Sequence, residues 1–143
     1  NFRNTLYRQT MFAHFEQKAH SMVENNEALT SNALNREYSG LKQRYHKPVN
    51  LDERIEKEWM RIPHFYYNFY VYQYATGISA AETLVEKILD HGPEDYIEFL
   101  SKGSAEYPVD ALKSAGADMT SEEPVETAIE TYKEQLKEAR TKV

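Results

Sequence analysis

Residues 62–77 read IPHFYYNFYVYQYATG, and this stretch decides how the chain folds. Seven of the eleven residues from His64 to Tyr74 are phenylalanine or tyrosine, and five of those are tyrosines. A tyrosine combines a large apolar ring with a hydroxyl group that needs a hydrogen-bond partner when it is buried. Such a dense cluster therefore indicates either a tightly packed core or the wall of a binding site.

Pro63 separates the stretch from the residues before it. A proline disfavours helical backbone at the preceding residue, so we predict a break at residues 61–63. A long helix is predicted to follow, from about residue 65 to residue 90, and to end at Gly92 and Pro93. The helical repeat places one stripe of side chains along this helix: Tyr67, Tyr70, Val71, Tyr74 and Ile78.

Apolar residues recur at three- and four-residue steps in most of the remaining sequence, which predicts helices with one buried face. Capping residues and prolines indicate where these helices end. The first predicted helix covers residues 4–25, the second is capped by Thr30 or Ser31 and ended by Pro48, and the third covers residues 51–60 with Asn50 as its cap. After the central helix, one helix is predicted from Pro93 to Gly103, one from Pro108 to Ala115, and a last one capped by Thr120 or Ser121. With the central helix this gives about seven helices and no credible strand, so the predicted fold class is all-α.

The composition limits the classes of function. At 143 residues, of which 41% are apolar, the chain is expected to form one domain with one core. A net charge of −6 without a block of basic residues argues against nucleic acid or an anionic membrane as a partner. The printed sequence shows no signal-peptide pattern and no apolar run of ~18 residues. The absence of cysteine excludes disulfides and thiolate catalysis, and we expect a cytoplasmic location.

A metal site is the first candidate for chemistry, and the sequence does not favour one. His14, Glu16 and His20 share the first predicted helix, but a spacing of six residues turns the two histidines ~120° apart. The zinc-binding H-E-x-x-H motif places its histidines four residues apart on one face. We interpret these side chains as solvated or interface residues, and they would bind a metal only if another chain contributed ligands.

The tyrosine stripe is the second candidate. His64 lies where the long helix is predicted to begin, and the hydroxyl groups of Tyr67, Tyr70 and Tyr74 follow along one face. Such donors can stabilise the oxyanion that develops in acyl transfer. An aromatic stripe at helical spacing is more often part of a core than of a site, so the residues alone leave a plain core as the alternative.

Three segments resemble one known family: WMRIPHFYYNFYVYQYATGISAA at 59–81, LYRQTMFAHFE at 6–16, and ALKSAGADMTSEEPVETAI at 111–129. The first resembles the tyrosine-rich segment of oligoendopeptidase F, in the thimet oligopeptidase family of zinc metallopeptidases. The other two resemble helices of the same family. The segments occur in the family's order, and the resemblance covers nearly the whole chain.

This resemblance implies an all-helical enzyme that cleaves short peptides in a deep channel, using a zinc-bound water activated by the glutamate of an H-E-x-x-H helix. It also implies that a histidine and two tyrosines seven residues apart contact the substrate carbonyl and the tetrahedral intermediate. The matching residues are His64, Tyr67 and Tyr74, although His64 is closer to Tyr67 than the family's histidine is. We add Tyr70 as a substrate-binding residue, because it lies on the same predicted stripe.

The sequence departs from the family in one respect, since it contains no H-E-x-x-H motif. The chain also starts at Asn1 without a methionine. We therefore expect residues 1–143 to be the C-terminal segment of the peptidase catalytic domain, with the zinc-binding part upstream. Zn²⁺ is expected in the full-length enzyme and not on this chain, which is expected to be inactive alone.

The expected partners are short peptide substrates and the N-terminal remainder of the same enzyme. An exposed apolar face would also favour self-association of the isolated chain. The alternative function is a non-enzymatic helical module for protein interaction, in which the aromatic stripe forms a partner groove or a plain core. Exposure of Tyr67, Tyr70 and Tyr74 distinguishes a site from a core.

Overall fold

The computed structural model describes residues 2–142, and in this range the chain is helical without a strand. The predicted all-α fold class is confirmed. Residue contacts divide the chain into two compact units, Arg3–Ala75 and the segment from Thr76 onward, which Phe2 joins. Buried apolar residues form two separate clusters, so the expectation of a single core was wrong.

Helices of three kinds build the first unit. They are a π-helical segment Arg3–Arg8, α1 Gln9–Glu24, α2 Ser31–Tyr45, and two 3-10 helices, Glu53–Arg61 and Pro63–Tyr66. Thr30 caps α2 as predicted, because its hydroxyl oxygen accepts the N–H of Ala33 at 3.2 Å. Asp52, rather than the predicted Asn50, caps the first 3-10 helix by accepting the N–H of Arg54 at 2.9 Å.

The core of the first unit lies between α1 and α2. Its buried members are Met11, Phe12, Phe15, Tyr38, Leu41, Ile62 and Val71. Phe15 meets Tyr38 edge-on, with ring centroids 5.1 Å apart, a favourable geometry for aromatic pairs. Since Ile62 and Val71 belong to this core, the tyrosine-rich stretch is held to it on both sides of the 3-10 helix Pro63–Tyr66.

A buried carboxylate, Glu58, ties three of these elements together. It accepts hydrogen bonds from Arg8 at 2.7 Å, Lys42 at 2.6 Å and the Tyr38 hydroxyl at 2.7 Å. Burial alone would raise the pKa of Glu58, but the hydrogen bonds from Lys42, Arg8 and Tyr38 outweigh it and lower the pKa to about 2. The buried Lys42 ammonium is therefore paired with an ionised carboxylate at neutral pH.

The second unit contains most of α3 Tyr72–His91, followed by α4 Glu94–Lys102, α5 Pro108–Ser114 and α6 Glu123–Thr141. Its buried cluster consists of Ala80, Leu84, Ala115 and Ala117. Pro108 begins α5 as predicted, and Gly116 follows its C-cap with a left-handed φ of 95°. None of the helices within residues 2–142 has the length and apolar character needed to cross a membrane.

Candidate active site

The backbone of the tyrosine-rich stretch is not one continuous helix. After the 3-10 helix Pro63–Tyr66, residues 67–71 form a loop, which we call the tyrosine loop, and α3 begins at Tyr72. Tyr67 is extended, with φ −104° and ψ 91°, and Phe69 has a left-handed φ of 52°. A turn in which the N–H of Tyr70 donates to the Tyr67 carbonyl at 3.0 Å closes the loop.

The predicted start of the long helix near residue 65 was therefore wrong, and so was the helical stripe. An α-helix cannot continue through a residue with positive φ such as Phe69, so Tyr67 and Tyr70 lie on a loop and only Tyr74 lies on α3. The spacing of three and seven residues consequently does not explain how these side chains meet.

Three of the predicted residues nevertheless form a compact group, which we call the His–Tyr cluster: His64, Tyr70 and Tyr74. The Tyr74 hydroxyl lies 3.4 Å from His64 Nε2 and donates a hydrogen bond to the Tyr70 hydroxyl at 3.3 Å. The rings of His64 and Tyr70 stack 5.7 Å apart at an angle of 6°. The Tyr74 ring meets both of them nearly at right angles. The fold thus brings together residues from a 3-10 helix, a loop and an α-helix.

Tyr67 lies at the margin of this cluster. Its ring contacts that of Tyr70, with centroids 6.0 Å apart, and its side chain is 65% exposed. Tyr70 is 38% exposed and Tyr74 is half-buried. These hydroxyl-bearing side chains are therefore open to solvent in this chain and are not packed in its own core. The core instead receives Val71 and the partly buried Phe65 from the same stretch.

The hydrogen bond to Tyr70 affects the acidity of Tyr74. The bond to Tyr70, together with some desolvation and the charge of Tyr70, raises the pKa of Tyr74 above its ordinary value of 10.0. Tyr74 therefore keeps its proton at neutral pH and acts as a hydrogen-bond donor rather than as a base. A neutral phenol that faces solvent can donate to an oxygen atom on which negative charge develops.

Glu16 of α1 is a residue whose role in this region the sequence did not reveal. It is buried, and its Oε1 accepts the backbone N–H of Phe69 at 2.8 Å. His20, one turn further along α1, stacks its ring on Phe69 with centroids 4.4 Å apart. The position of Glu16 could have indicated its burial, because it lies four residues after Phe12 on the apolar face of α1.

The described residues do not fit a metal ion. Within residues 2–142 no three histidine, cysteine or acidic side chains lie close enough together to hold one. His14 and His20 contact different rings, those of Tyr45 and Phe69. Burial, followed by the charges of Arg44 and Lys18, lowers the pKa of His14. A zinc ion would therefore need ligands from outside this part of the protein.

Comparison with known proteins gives a consistent assignment. A family model described as Peptidase family M3 matches residues 1–131. Oligopeptidase PepF of Bacillus subtilis is 50% identical over 141 residues, covering 96% of this chain and 21% of that protein. Oligoendopeptidase F, plasmid, of Lactococcus lactis subsp. cremoris is 44% identical over 142 residues, covering 96% of this chain and 24% of that protein.

Solved structures show the same similarity. The crystal structure of oligoendopeptidase-F from Enterococcus faecium matches 98% of this chain with a TM-score of 0.92 and 43% identity, and the match covers 28% of that protein. A putative peptidase from Chlamydophila abortus matches 99% of the chain with a TM-score of 0.91 and 39% identity. The chain therefore spans between 21% and 28% of the length of the proteins it matches.

Proposed function

Since this chain belongs to peptidase family M3, we propose that residues 1–143 form the C-terminal segment of a longer, zinc-dependent oligoendopeptidase of the F type. The names of the relatives support short peptides as substrates, and the small share of each relative that the chain spans supports a longer enzyme. The described residues do not fit zinc, so the metal and its H-E-x-x-H helix would belong to the upstream part. We expect the isolated chain to be inactive.

The observation that carries the proposal is the His–Tyr cluster. Its polar atoms form a short series from His64 Nε2 through the Tyr74 hydroxyl to the Tyr70 hydroxyl, with separations of 3.4 and 3.3 Å. The series lies on the surface of its own unit, where a peptide could reach it. We assign Tyr74 and Tyr67 as donors to the scissile carbonyl and His64 as an additional donor.

In the proposed mechanism, the carbonyl oxygen gains negative charge as the tetrahedral intermediate forms. Donors that are already oriented stabilise that charge without reorganisation. The cost of losing one such donor is about 3 to 4 kcal/mol of barrier stabilisation. Zinc would supply the activated water when bound upstream, and this chain would supply hydrogen bonds to the developing oxyanion.

Tyr70 has a different proposed role, in substrate binding. Its ring stacks flat on His64 and its hydroxyl accepts the hydrogen bond of Tyr74. A substrate oxygen would replace the Tyr70 hydroxyl as the acceptor of the hydrogen bond from Tyr74. The Tyr74 hydroxyl is already oriented for this, because it donates to the neighbouring Tyr70. Tyr70 then contacts the peptide and keeps the His64 ring in place.

A kinetic comparison in the longer enzyme tests these roles. Tyr74→Phe and Tyr67→Phe should each lower kcat by about 100- to 1000-fold, with little change in KM, because the donors act mainly in the transition state. Tyr66→Phe is the matched control, since Tyr66 belongs to the same stretch and is 82% exposed. Equal activity of Tyr74→Phe and Tyr66→Phe would show that Tyr74 is not a donor.

The proposed partner of this chain is the N-terminal remainder of the enzyme. Large apolar side chains on the second unit are exposed: Val85, Leu89, Ile97 and Leu100. Val85 and Leu89 lie one turn apart on α3, and Ile97 and Leu100 lie one turn apart on α4, so each pair shares a helix face. Apolar residues that form a contiguous exposed patch typically mark an interaction site. We propose that the upstream part covers it, and that the isolated chain self-associates through it. The cysteine-free composition is compatible with the cytoplasm, which we keep as the proposed location.

A further inference from the structure

The tyrosine loop is joined to α1 by a partly buried hydrogen bond that links residues 53 positions apart in sequence. The acceptor is Glu16 Oε1 and the donor is the backbone N–H of Phe69, at 2.8 Å. Glu16 is only 8% exposed, which limits the access of water to the acceptor, although Phe69 itself is 48% exposed. A hydrogen bond to a carboxylate is stronger than one between neutral groups, and the effect is larger where water is excluded.

Phe69 needs this support because of its backbone conformation. A left-handed φ of 52° is unusual for a bulky residue without a short polar side chain. Such conformations persist only where the surrounding structure holds them. Glu16 holds the N–H of Phe69, and the ring of His20 covers its side chain at a centroid distance of 4.4 Å.

Phe69 lies between the two loop tyrosines, so its conformation sets their directions. The turn closed by the Tyr70 N–H and the Tyr67 carbonyl contains Phe69. A change in φ at this residue would therefore redirect the ring of Tyr70, which stacks on His64 and accepts the hydrogen bond of Tyr74.

We propose that Glu16 is a positioning residue, which fixes the tyrosine loop so that Tyr70 meets His64 and Tyr74 in the geometry needed for catalysis. Its effect on catalysis rests on the function proposed above. Glu16 acts through the backbone of Phe69 and does not itself contact the reacting atoms. The role requires an oxygen acceptor at this position, because the group to be held is an N–H.

Two substitutions in the longer enzyme separate this role from general packing. Glu16→Leu removes the acceptor and should lower kcat by about 10- to 100-fold with KM within about threefold, since small misplacements of catalytic groups have effects of this size. Glu16→Gln keeps an oxygen acceptor and should retain kcat within about threefold. Glu24→Leu is the matched control, because Glu24 is an exposed residue of the same helix and should leave kcat unchanged.

Amide hydrogen exchange gives a second readout that does not depend on activity. In Glu16→Leu, the peptide covering residues 65–71 should exchange at least tenfold faster at the Phe69 amide, a loss of about 1.4 kcal/mol of local protection. In Glu16→Gln, which serves if the leucine variant does not fold, exchange should quicken by about threefold, because a neutral acceptor is weaker.

The outcomes distinguish this inference from the proposed function. Unchanged exchange at Phe69 in both variants would overturn the inference, whatever the activity. Equal losses of kcat in Glu16→Gln and Glu16→Leu would overturn the acceptor role. Faster exchange with unchanged kcat would show that Glu16 anchors the loop but does not position the cluster for catalysis, whereas the kinetics of Tyr74→Phe test the catalytic role of the cluster itself.

Discussion

Replacing Glu58 by glutamine should destabilise the first unit by about 3 kcal/mol at neutral pH. The substitution removes the negative charge that pairs with Lys42 and leaves the lysine ammonium buried, with its side chain only 5% exposed. Breaking a buried ion pair from one side costs about 3 to 5 kcal/mol, because the remaining charge keeps its desolvation cost. The lower end applies here, since glutamine retains one oxygen as an acceptor for Arg8 or Tyr38.

The pKa of Glu58 gives an independent figure and a pH dependence. Lowering it from an ordinary 4.5 to about 2 corresponds to at most about 3 kcal/mol. Arg8 is 29% exposed, and Arg61, whose guanidinium lies 3.5 Å from Glu58 Oε1, is 77% exposed, so solvent screening reduces this to about 2 kcal/mol. Because the folded-state pKa is lowered, this stability is fully present above pH 4.5 and is lost as the pH falls toward 2.

Trp59 provides the assay. It is the chain's single tryptophan, it packs against the core of the first unit, and its indole N–H donates to Asn35 Oδ1 at 2.9 Å. Its fluorescence in urea therefore follows unfolding of this unit by itself. Glu53→Gln, an exposed change in the same 3-10 helix, is the control and should alter stability by less than about 0.5 kcal/mol.

Two results would refute this reasoning. One is a loss in Glu58→Gln no larger than in Glu53→Gln, which would mean that the buried charges are already solvated. The other is an equal loss of stability in the wild type and Glu58→Gln between pH 4.5 and pH 2. In addition, Lys42→Met combined with Glu58→Gln should cost less than the sum of the single changes, because neither charge is then left alone.

The same fluorescence assay tests three further changes. Tyr38→Phe should lower the free energy of unfolding by about 2 kcal/mol, because it removes a hydrogen bond to the Glu58 carboxylate. Unchanged stability would show that this bond does not stabilise the unit. Thr30→Ala should cost about 1 kcal/mol through loss of the α2 cap, whereas Thr30→Ser should cost little. Gly40→Ala should stabilise by about 0.5 to 1 kcal/mol, because an added Cβ meets no atom within 4 Å, and destabilisation would show a closer contact there.

Local rules of sequence predicted much of the helical fold. Pro63 and Pro108 each mark the start of a helix, and Gly103 and Gly116 follow the ends of α4 and α5. Thr30 was one of two caps predicted for α2 from residue type, with Ser31 as the other, and Thr30 is the cap in the structure. These signals act within one turn of backbone, so the sequence around each residue contains the information needed.

The start of α3 could not be predicted in this way, because it depends on a contact distant in sequence. The aromatic pattern of residues 65–71 fits a helix. In the structure, however, Glu16 accepts a hydrogen bond from the N–H of Phe69, and Val71 is buried in the core. The same limit applies to Glu58, whose burial depends on Arg8, Lys42 and Tyr38 being brought around it. At the start of α3, a tertiary hydrogen bond to a buried acid overrode the local preference for helix.

The candidate site was likewise predicted from the sequence only in part. His64, Tyr70 and Tyr74 were identified from sequence and do lie together, but loop geometry rather than helical spacing unites them. Tyr67 was placed on the same stripe and instead lies at the margin of the cluster, largely exposed. Its role as a donor remains a prediction.

The most direct test of the central claim is a crystal structure of the longer enzyme with a phosphinic peptide, which mimics the tetrahedral intermediate. The measurement is the distance from the Tyr74 hydroxyl to the phosphinyl oxygen that represents the oxyanion. We predict about 2.7 to 3.1 Å, the range of a donor that stabilises the developing charge. A distance beyond about 4 Å, with Tyr74 still donating to Tyr70, would contradict the assignment of this cluster to the active site.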